Sequence, residues 1–169
     1  EIQLVRPRQS QSDCATAAGG MEEVLMRGLP IPRYPSLKVG LPAKRALTGL
    51  WSRHRPDIVH IVTEGPLGWS ALEVAHKLKI PVSSDFRTNF HAYSRHYGIG
   101  WLQKPIAAYL RRFHNRTLLT LVPTDAMKRD LATLGFRNLR VVARGVDTQL
   151  FNPSRRSEAL RAAWGAGPD

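Results

Sequence analysis

The chain has 169 residues, of which 43% are hydrophobic, so it fits one globular domain with a sizeable core and is not a disordered polypeptide. Its single cysteine, Cys14, excludes an intramolecular disulfide, and no apolar run is long enough to span a bilayer. The formal net charge of +12 indicates an anionic partner.

The first third of the chain contains short extended segments interrupted by proline and glycine. Residues 1–5 predict a strand that ends in the turn-rich residues 6–10. Residues 24–26 and 31–35 predict an irregular strand-and-loop region, because proline cannot donate to a sheet ladder.

Strand and helix patterns alternate over the remaining residues. Helices are predicted over residues 42–55, 70–78, 101–117 and 125–134, and strands over residues 58–63, 80–84, 118–122 and 139–142. In the first helix Leu47, Leu50 and Trp51 recur at helical spacing, and Gly135 closes the last helix. Such alternation is typical of an α/β domain with a mainly parallel sheet and right-handed crossovers.

Polar residues follow two of the predicted strands at their carboxyl ends. Residues 63–68, which include Glu64, follow the first of these strands, and Arg87, Asn89, His91 and Tyr93 follow the next. Ligands of open parallel sheets bind in the crevice at this edge. These side chains are therefore predicted to hold a hydroxylated or anionic molecule.

Two interpretations of Glu64 are open from the sequence alone. Its carboxylate can accept hydrogen bonds from the hydroxyl groups of a bound molecule, or it can bond to neighbouring backbone amides in a structural role. Gly65 and Gly68 favour close approach of the backbone at the start of the next helix, whose N-terminus favours anions. Both glycines are therefore predicted to bind substrate together with Glu64.

Basic residues are concentrated in two spans that contain no acidic residue, between Glu23 and Asp57 and between Asp85 and Asp125. Within residues 43–55 and 101–116, a membrane or anion surface is predicted at Lys44, Arg45, Trp51, Arg53, Lys104, Arg111 and Arg112. The alternatives are a solvated face that only aids solubility, or a nucleic-acid surface. No RNP or GXXG clamp occurs in a suitable context, so no specific nucleic-acid partner is expected.

Several catalytic motifs are absent from the sequence. The six histidines and one cysteine lack the close paired spacings of zinc sites, so no metal ligand is predicted. Neither a P-loop nor a G-x-G-x-x-G loop is present, and no cofactor is expected. A hydrolase has little support, because the chain also lacks a nucleophile elbow and a Ser-His-Asp pattern.

A series of short motifs occurs in a specific order along the chain. It consists of residues 56–60 with the loop 63–68, residues 85–90, residues 122–124, residues 144–147 and residues 151–153. This order resembles the N-terminal half of the retaining GT-B glycosyltransferases known as glycosyl transferases group 1, or family 4. The likeness covers residues 56–156 well and residues 1–55 more loosely.

The resemblance implies a Rossmann-like three-layer domain that forms the N-terminal half of a GT-B fold, with the first strand and its glycine-rich loop missing. Residues 1–156 would be a truncated acceptor-side domain, and residues 157–169 the start of the linker to an absent C-terminal domain. The donor half of the family typically carries a spaced pair of glutamates, and no glutamate pair here has that spacing. The nucleotide-sugar donor is therefore expected to bind mainly to the absent domain, and this fragment alone is expected to be inactive.

The resemblance also concerns the residues after the second predicted strand. Family members often have an aromatic-His-Thr sequence where this chain has Phe86-Arg87-Thr88. An arginine cannot act as a base, but its fork of donors can hold a carboxylate or a phosphate. Arg87 and His91 are the catalytic candidates, and a helix-capping or surface ion pair is the alternative for Arg87.

The function implied by the resemblance is that of a hexosyltransferase in the full-length protein. It would transfer a sugar from a nucleotide-sugar to a hydroxyl acceptor, such as a lipid or a glycan, with retention of anomeric configuration. A cytoplasmic location is expected, with peripheral contact to the inner face of the cell membrane. The alternative is a basic α/β binding module for nucleic acid or an anionic membrane surface, without catalysis.

Overall fold

The computed structural model describes residues 1–32, 34–87, 103–143 and 145–166. The strands are β1 (Ile2–Pro7), β2 (Ala17–Ala18), β3 (Met21–Met26), β4 (Gly28–Ile31), β5 (Tyr34–Gly40), β6 (Val59–Ile61), β7 (Val82–Asp85), β8 (Leu119–Val122) and β9 (Leu139–Val141). The α-helices are α1 (Lys44–Arg53), α2 (Pro66–Lys77), α3 (Gln103–His114), α4 (Asp125–Thr133) and α5 (Glu158–Ala163), and a 3-10 turn spans Pro153–Arg155. None of the helices in these ranges is long and apolar enough to cross a bilayer.

The second half of the chain forms a four-stranded parallel sheet in the order β6-β7-β8-β9. Helices α2, α3 and α4 lie in the connections between successive strands. The α/β prediction with a mainly parallel sheet is thereby confirmed. Because all strands run the same way, the loops that follow β6 and β7 leave from the same edge of the sheet.

The N-terminal segment is more regular than the sequence predicted. Strands β1, β3 and β2 form a sheet in that order, with β1 parallel and β2 antiparallel to β3, while β4 and β5 pair as an antiparallel ribbon. The irregular strand-and-loop region predicted here is wrong for residues 24–26, which lie in the regular strand β3. It is right near the end of β4, where the pairing register with β5 shifts between Pro30 and Ile31. Edge strands tolerate proline, since their outer N–H groups need no partner in the sheet. Pro7 is the last residue of such an edge strand, β1.

The core consists of two apolar clusters that meet at α3. The first contains Leu47 of α1, Leu72 of α2 and Phe113 of α3, all without exposed surface. The second contains Leu110 of α3 and Val122 of β8. Helix α3 therefore contributes to both clusters, and its position determines which of its side chains reach the carboxyl edge of the sheet.

Helix ends follow the residues that favour them. The hydroxyl oxygen of Thr124 accepts a hydrogen bond from the Met127 N–H at 3.2 Å and caps the start of α4. Gly135 lies just beyond the end of the same helix with φ +82°, a left-handed conformation that favours glycine. The predicted closure of this helix at Gly135 is confirmed.

Arg6 links the N-terminal sheet to the loop that follows β1. Its Nη1 lies 2.7 Å from Oδ2 of Asp13, and its Nη2 lies 2.9 Å from Oε2 of Glu23. The hydrogen bonds from Arg6 lower the pKa of Glu23 to about 2 and hold the pKa of Asp13 well below its usual value. Both carboxylates thus have a lower pKa in the folded than in the unfolded chain.

These lowered pKa values predict a pH-dependent stability. The contribution of the two carboxylates is fully present above their unfolded pKa of about 4 and is lost as the pH falls through the folded values. We expect Arg6→Met to lower the free energy of unfolding at pH 7, and the difference from wild type to shrink between pH 5 and pH 3. Urea unfolding at a series of pH values measures this, with Arg129→Met, an exposed arginine of α4, as the control. A difference for Arg6→Met that does not vary with pH would contradict the prediction.

Candidate functional site

The loops after β6 and β7 meet at the carboxyl edge of the parallel sheet. Ile61, the last residue of β6, pairs with Ser84 of β7, so the two strands end side by side. Glu64 follows β6 and Arg87 follows β7. The structure thus places Glu64 and Arg87 at one edge, as the sequence predicted for their loops.

Glu64 is held from α3 by its side chain and by its backbone. Its Oε1 lies 3.0 Å from Nε2 of His114, a histidine with no exposed surface. The Tyr109 hydroxyl donates to the carbonyl oxygen of Glu64, and burial raises the pKa of Tyr109. Glu64 therefore has a structural bond, but to a histidine side chain rather than to neighbouring backbone amides. The Glu64 side chain is 17% exposed.

The hydrogen bonds continue from His114 into the sheet. Nδ1 of His114 lies 2.8 Å from Oγ of Ser84, and that oxygen lies 3.1 Å from Oγ1 of Thr117 and 3.2 Å from Oγ1 of Thr120. Ser84, Thr117 and Thr120 are all buried. Buried polar groups are normally hydrogen-bonded, and this network satisfies that requirement within the interior.

Ser84, His114 and Glu64 have the connectivity of a serine-histidine-acid triad. A nucleophilic serine must be accessible to a substrate carbonyl, however, and Ser84 lies inside β7 with no exposed surface. Its oxygen is also engaged by two threonine hydroxyls. The arrangement therefore organises a polar interior and positions Glu64, and it does not present a nucleophile.

The sequence analysis missed His114 and its partners. They come from separate elements: His114 is 50 residues from Glu64 and 30 residues from Ser84 along the chain. The only local signal was a pair of serines in the otherwise buried strand β7, since buried hydroxyls need partners. That signal predicts a polar network but does not identify its members.

Arg87 forms the ion pair that the sequence left open as its alternative role. Its Nε donates to Oδ2 of Asp85, and its side chain is 51% exposed. Its terminal nitrogens bond to no residue that the structure describes. The Arg87 side chain is therefore half-exposed, and Asp85 fixes the base of its guanidinium. Asn89, His91 and Tyr93 lie outside the described residues.

The two glycines at the start of α2 have different surroundings. A Cβ added to Gly68 would lie 2.1 Å from the carbonyl oxygen of Thr63, so the helix approaches the β6 loop too closely for any side chain. A Cβ on Gly65, the residue before the helix, would meet only Cγ2 of Val39 at 3.4 Å. The first turn of α2 therefore packs backbone to backbone against the loop that carries Glu64.

The basic residues predicted for the membrane or anion surface are all exposed: Lys44, Arg45, Arg53, Lys104, Arg111 and Arg112. Two of them also have partners within the domain. Lys44 pairs with Glu73, and Arg111 donates to the carbonyl oxygen of Leu134 at 2.9 Å. The pair with Lys44 lowers the pKa of Glu73.

Trp51 is the exception among the residues predicted for this surface. It is only 4% exposed and packs in the first core cluster with Leu47. Its assignment to a membrane or anion surface is therefore wrong. The helical spacing that Trp51 shares with Leu47 places both side chains on the inward face of α1.

A cavity of about 440 Å³ opens at the start of α1. It is lined by Met26, Arg27, Leu41, Pro42, Ala43, Lys44, Arg45 and Ala46. Among the residues that the structure describes, no group of histidine, cysteine, aspartate and glutamate side chains has the arrangement of a metal site.

Comparison with known proteins identifies the family. The sequence pattern of the family described as Glycosyltransferase Family 4 matches residues 1–150. The chain belongs to glycosyltransferase family 4. The family resemblance predicted from the motif order is thereby confirmed, and the candidate edge lies within the matched part of this family 4 chain.

Its relatives are named as glycosyltransferases. Sulfoquinovosyl transferase SQD2 of Arabidopsis thaliana is 32% identical over 145 residues, which are 84% of this chain and 28% of that protein. A GDP-mannose-dependent alpha-mannosyltransferase of Mycobacterium tuberculosis is 33% identical over 133 residues, 79% of this chain and 35% of that protein. The enzyme of the same name from Corynebacterium glutamicum is 30% identical over 145 residues. This family 4 chain thus spans about a third of the length of these relatives.

Proposed function

We propose that this chain is the acceptor-side domain of a retaining glycosyltransferase that transfers a sugar from a nucleotide-sugar to a hydroxyl group of a lipid or glycan. The observation that carries the proposal is the geometry of Glu64. One carboxylate oxygen, Oε1, is occupied by His114, while Oε2 accepts no hydrogen bond from the described residues. A carboxylate oxygen that has no partner among the described residues, at the carboxyl edge of a parallel sheet, suits an acceptor hydroxyl.

In this proposal, transfer depends on positioning and on electrostatic stabilisation. Glu64 accepts a hydrogen bond from the acceptor hydroxyl and orients it toward the sugar. The terminal donors of Arg87 hold an anionic group of the substrate, which a planar guanidinium binds well. Retention then requires no nucleophile from this domain, and the departing nucleotide phosphate is stabilised mainly by the donor-binding domain.

The domain arrangement is part of the same proposal. Residues 1–156 form the acceptor side, and residues 157–169 begin the linker to a donor-binding domain. The share of the relatives that this chain covers, about a third, supports such an arrangement. GDP-mannose is the first donor to test, because it is named for the mannosyltransferases that this chain resembles. We propose that the reaction uses no metal or other cofactor.

A cytoplasmic location with peripheral contact to the inner face of the cell membrane completes the proposal. Exposed Arg45 and Arg53 on α1, and Lys104 and Arg112 on α3, support an attraction to anionic lipid. Each basic residue near an anionic leaflet contributes on the order of 1 kcal/mol at low salt. The acceptor would then be reached at the membrane surface.

The test uses the complete gene product that contains these residues. Purified protein is incubated with GDP-mannose and then with other nucleotide-sugars. Acceptors are methyl mannoside in solution and diacylglycerol in anionic or zwitterionic vesicles, and products are identified by mass spectrometry. We expect sugar transfer by the complete protein, none by residues 1–169 alone, and a preference for anionic vesicles if the acceptor is a lipid.

A substitution at Glu64 tests its role in that assay. Loss of one charge-assisted hydrogen bond to the acceptor predicts that Glu64→Ala raises the acceptor KM by about 10- to 100-fold, with the donor KM unchanged. Glu73→Ala, which removes an exposed carboxylate of α2, is the matched control and should leave both constants unchanged.

Two outcomes would contradict the proposal. An unchanged acceptor KM in the Glu64→Ala variant would exclude Glu64 as an acceptor ligand. Absence of transfer with every donor, together with oligonucleotide binding that keeps its sequence preference at moderate salt, would instead favour the binding module.

A further inference from the structure

His114 is an unusual residue for the interior of this domain, because it is polar, completely buried and fully hydrogen-bonded. Its Nε2 faces Glu64 and its Nδ1 faces Ser84, while its carbonyl oxygen accepts from the Thr117 hydroxyl at 2.8 Å. A buried imidazole left without partners would carry the full cost of losing its hydrogen bonds to water. The surrounding hydroxyl groups remove that cost.

Aromatic rings fix the plane of the imidazole. The ring centroids of Phe86 and Phe113 both lie 5.2 Å from that of His114, and the Phe136 centroid lies 6.1 Å away. Rotation of the imidazole about its χ2 angle would move the ring into these neighbours and break both of its hydrogen bonds. The direction of Nε2 toward Glu64 is therefore set by packing as well as by hydrogen bonding.

The hydrogen bond to Glu64 assigns the Nε2 proton of His114 when Glu64 is ionised. An ionised carboxylate oxygen only accepts, so Nε2 then donates to Oε1 of Glu64. In the neutral imidazole, Nδ1 then accepts from the Ser84 hydroxyl. In the imidazolium, Nδ1 donates to Oγ of Ser84, and the Ser84 hydroxyl turns toward Thr117 or Thr120.

Both protonation states thus leave the bond to Glu64 intact. The remaining tautomer, protonated only at Nδ1, would set a nitrogen lone pair against the carboxylate and is excluded by repulsion. Among the residues that the structure describes, the charged and titratable groups that face this network are Glu64 itself and Tyr109, whose hydroxyl bonds to the Glu64 backbone. Asp85, next to Ser84, is engaged by Arg87.

We infer that His114 is a positioning residue, which holds Oε1 of Glu64 so that Oε2 faces the acceptor hydroxyl in one fixed direction. The inference rests on the proposed function, because it assigns the open oxygen of Glu64 to the acceptor. Ser84 fixes the tautomer of His114 from the other side of the ring. Through these hydrogen bonds, β7 and α3 hold Glu64, a loop residue at the sheet edge, in a fixed position.

Two amide substitutions at position 114 separate this role from simple core packing. In His114→Gln, the side-chain amide can occupy the place of Nε2 and still donate to Glu64. In His114→Asn, the shorter amide can bond to Ser84 at the place of Nδ1 but does not reach Glu64. Both variants bury a side-chain amide, and they differ by one methylene group.

The variants are made in the complete gene product, and acceptor and donor KM values are measured with GDP-mannose and methyl mannoside, or with the donor and acceptor pair found active. We expect His114→Asn to raise the acceptor KM by about tenfold, with the donor KM unchanged, because the carboxylate loses its fixed direction. We expect His114→Gln to restore the acceptor KM to within about threefold of wild type. Thermal midpoints of both variants are recorded beside the kinetics.

The outcomes distinguish this inference from the proposed function. If Glu64→Ala leaves the acceptor KM unchanged, the acceptor role of Glu64 fails and the inference fails with it. If Glu64→Ala raises the acceptor KM but the Asn and Gln variants change it equally, only the inference is overturned. Equal changes that follow the thermal midpoints would mean that His114 is a core residue only.

A measurement on the wild-type protein guards against variants that do not fold. Long-range ¹H–¹⁵N NMR spectra of the histidine rings report which nitrogen carries the proton. A His114 ring protonated at Nε2 agrees with the inference. A ring protonated only at Nδ1 would overturn it, because such a ring cannot donate to Glu64.

Discussion

Replacement of Gly68 by alanine is expected to destabilise the domain by about 2–3 kcal/mol, because the new methyl group would overlap the backbone of the preceding loop. A Cβ at this position lies 2.1 Å from the Thr63 carbonyl oxygen and 3.2 Å from Cγ2 of Ile61. Backbone cannot rotate out of the way as a flexible side chain can. Alanine favours a helix by about 1 kcal/mol over glycine, so the clash must exceed that gain for the net effect to be a loss.

The Gly68→Ala variant should also affect the candidate site. To relieve the overlap, α2 must move away from the loop that contains Glu64, and that loop is held to α3 through Tyr109 and His114. We therefore expect a higher acceptor KM in the complete gene product as well as a lower stability. Urea unfolding followed by circular dichroism measures the stability change.

Gly65→Ala provides the matched control for Gly68→Ala. Gly65 has φ −66° and ψ 179°, which alanine adopts freely, and its added Cβ would make only an ordinary contact with Val39. Alanine is a poorer N-cap than glycine, so Gly65→Ala should cause a small loss of stability. That loss should stay below about 1 kcal/mol. If the two variants were equally stable, the close approach of α2 to the β6 loop would not be a constraint on this fold.

The sequence predicted most of the parallel sheet because its signals are local. The apolar runs and the helical spacing in residues 58–142 identify each strand and helix without reference to any distant residue. The edge position of Glu64 and Arg87 follows in turn, since a residue just after a parallel strand must lie at its carboxyl end. Family membership was also accessible, because the short motifs occur in a fixed order.

The errors have physical reasons that involve tertiary context. Pro7 was placed in the turn after the first strand, yet it is the last residue of β1, a strand with a free edge where a missing N–H is tolerated. Trp51 was assigned to a basic surface because the segment around it is rich in basic residues. Its spacing from Leu47 already indicated the buried face of α1. The periodicity was the better guide in this case.

The network behind Glu64 could not be predicted from local signals at all. Ser84, His114 and Glu64 come together only because β6, β7 and α3 pack side by side. A histidine at the end of an amphipathic helix gives no indication of whether it faces solvent, a helix terminus or a buried carboxylate. Its role depends on the fold, and it becomes visible only when the elements are assembled.

Replacement of Phe113 by alanine should cause the largest loss of stability, about 3–5 kcal/mol. Phe113 has no exposed surface, and its ring packs edge-on against Trp69 of α2 at a centroid distance of 5.2 Å. It anchors α3 to the first core cluster. Removal of the ring leaves a cavity between α2 and α3 that the rigid sheet cannot fill by collapse.

The exposed Leu118, one turn beyond α3, is the control for this prediction. Its side chain is 69% exposed, so Leu118→Ala should change the free energy of unfolding by no more than about 0.5 kcal/mol. Denaturation of both variants in urea compares them directly. A loss below about 1 kcal/mol for Phe113→Ala would mean that the site collapses around the missing ring. In that case Phe113 would not anchor α3, and the position of His114 beside Glu64 would have to depend on its hydrogen bonds alone.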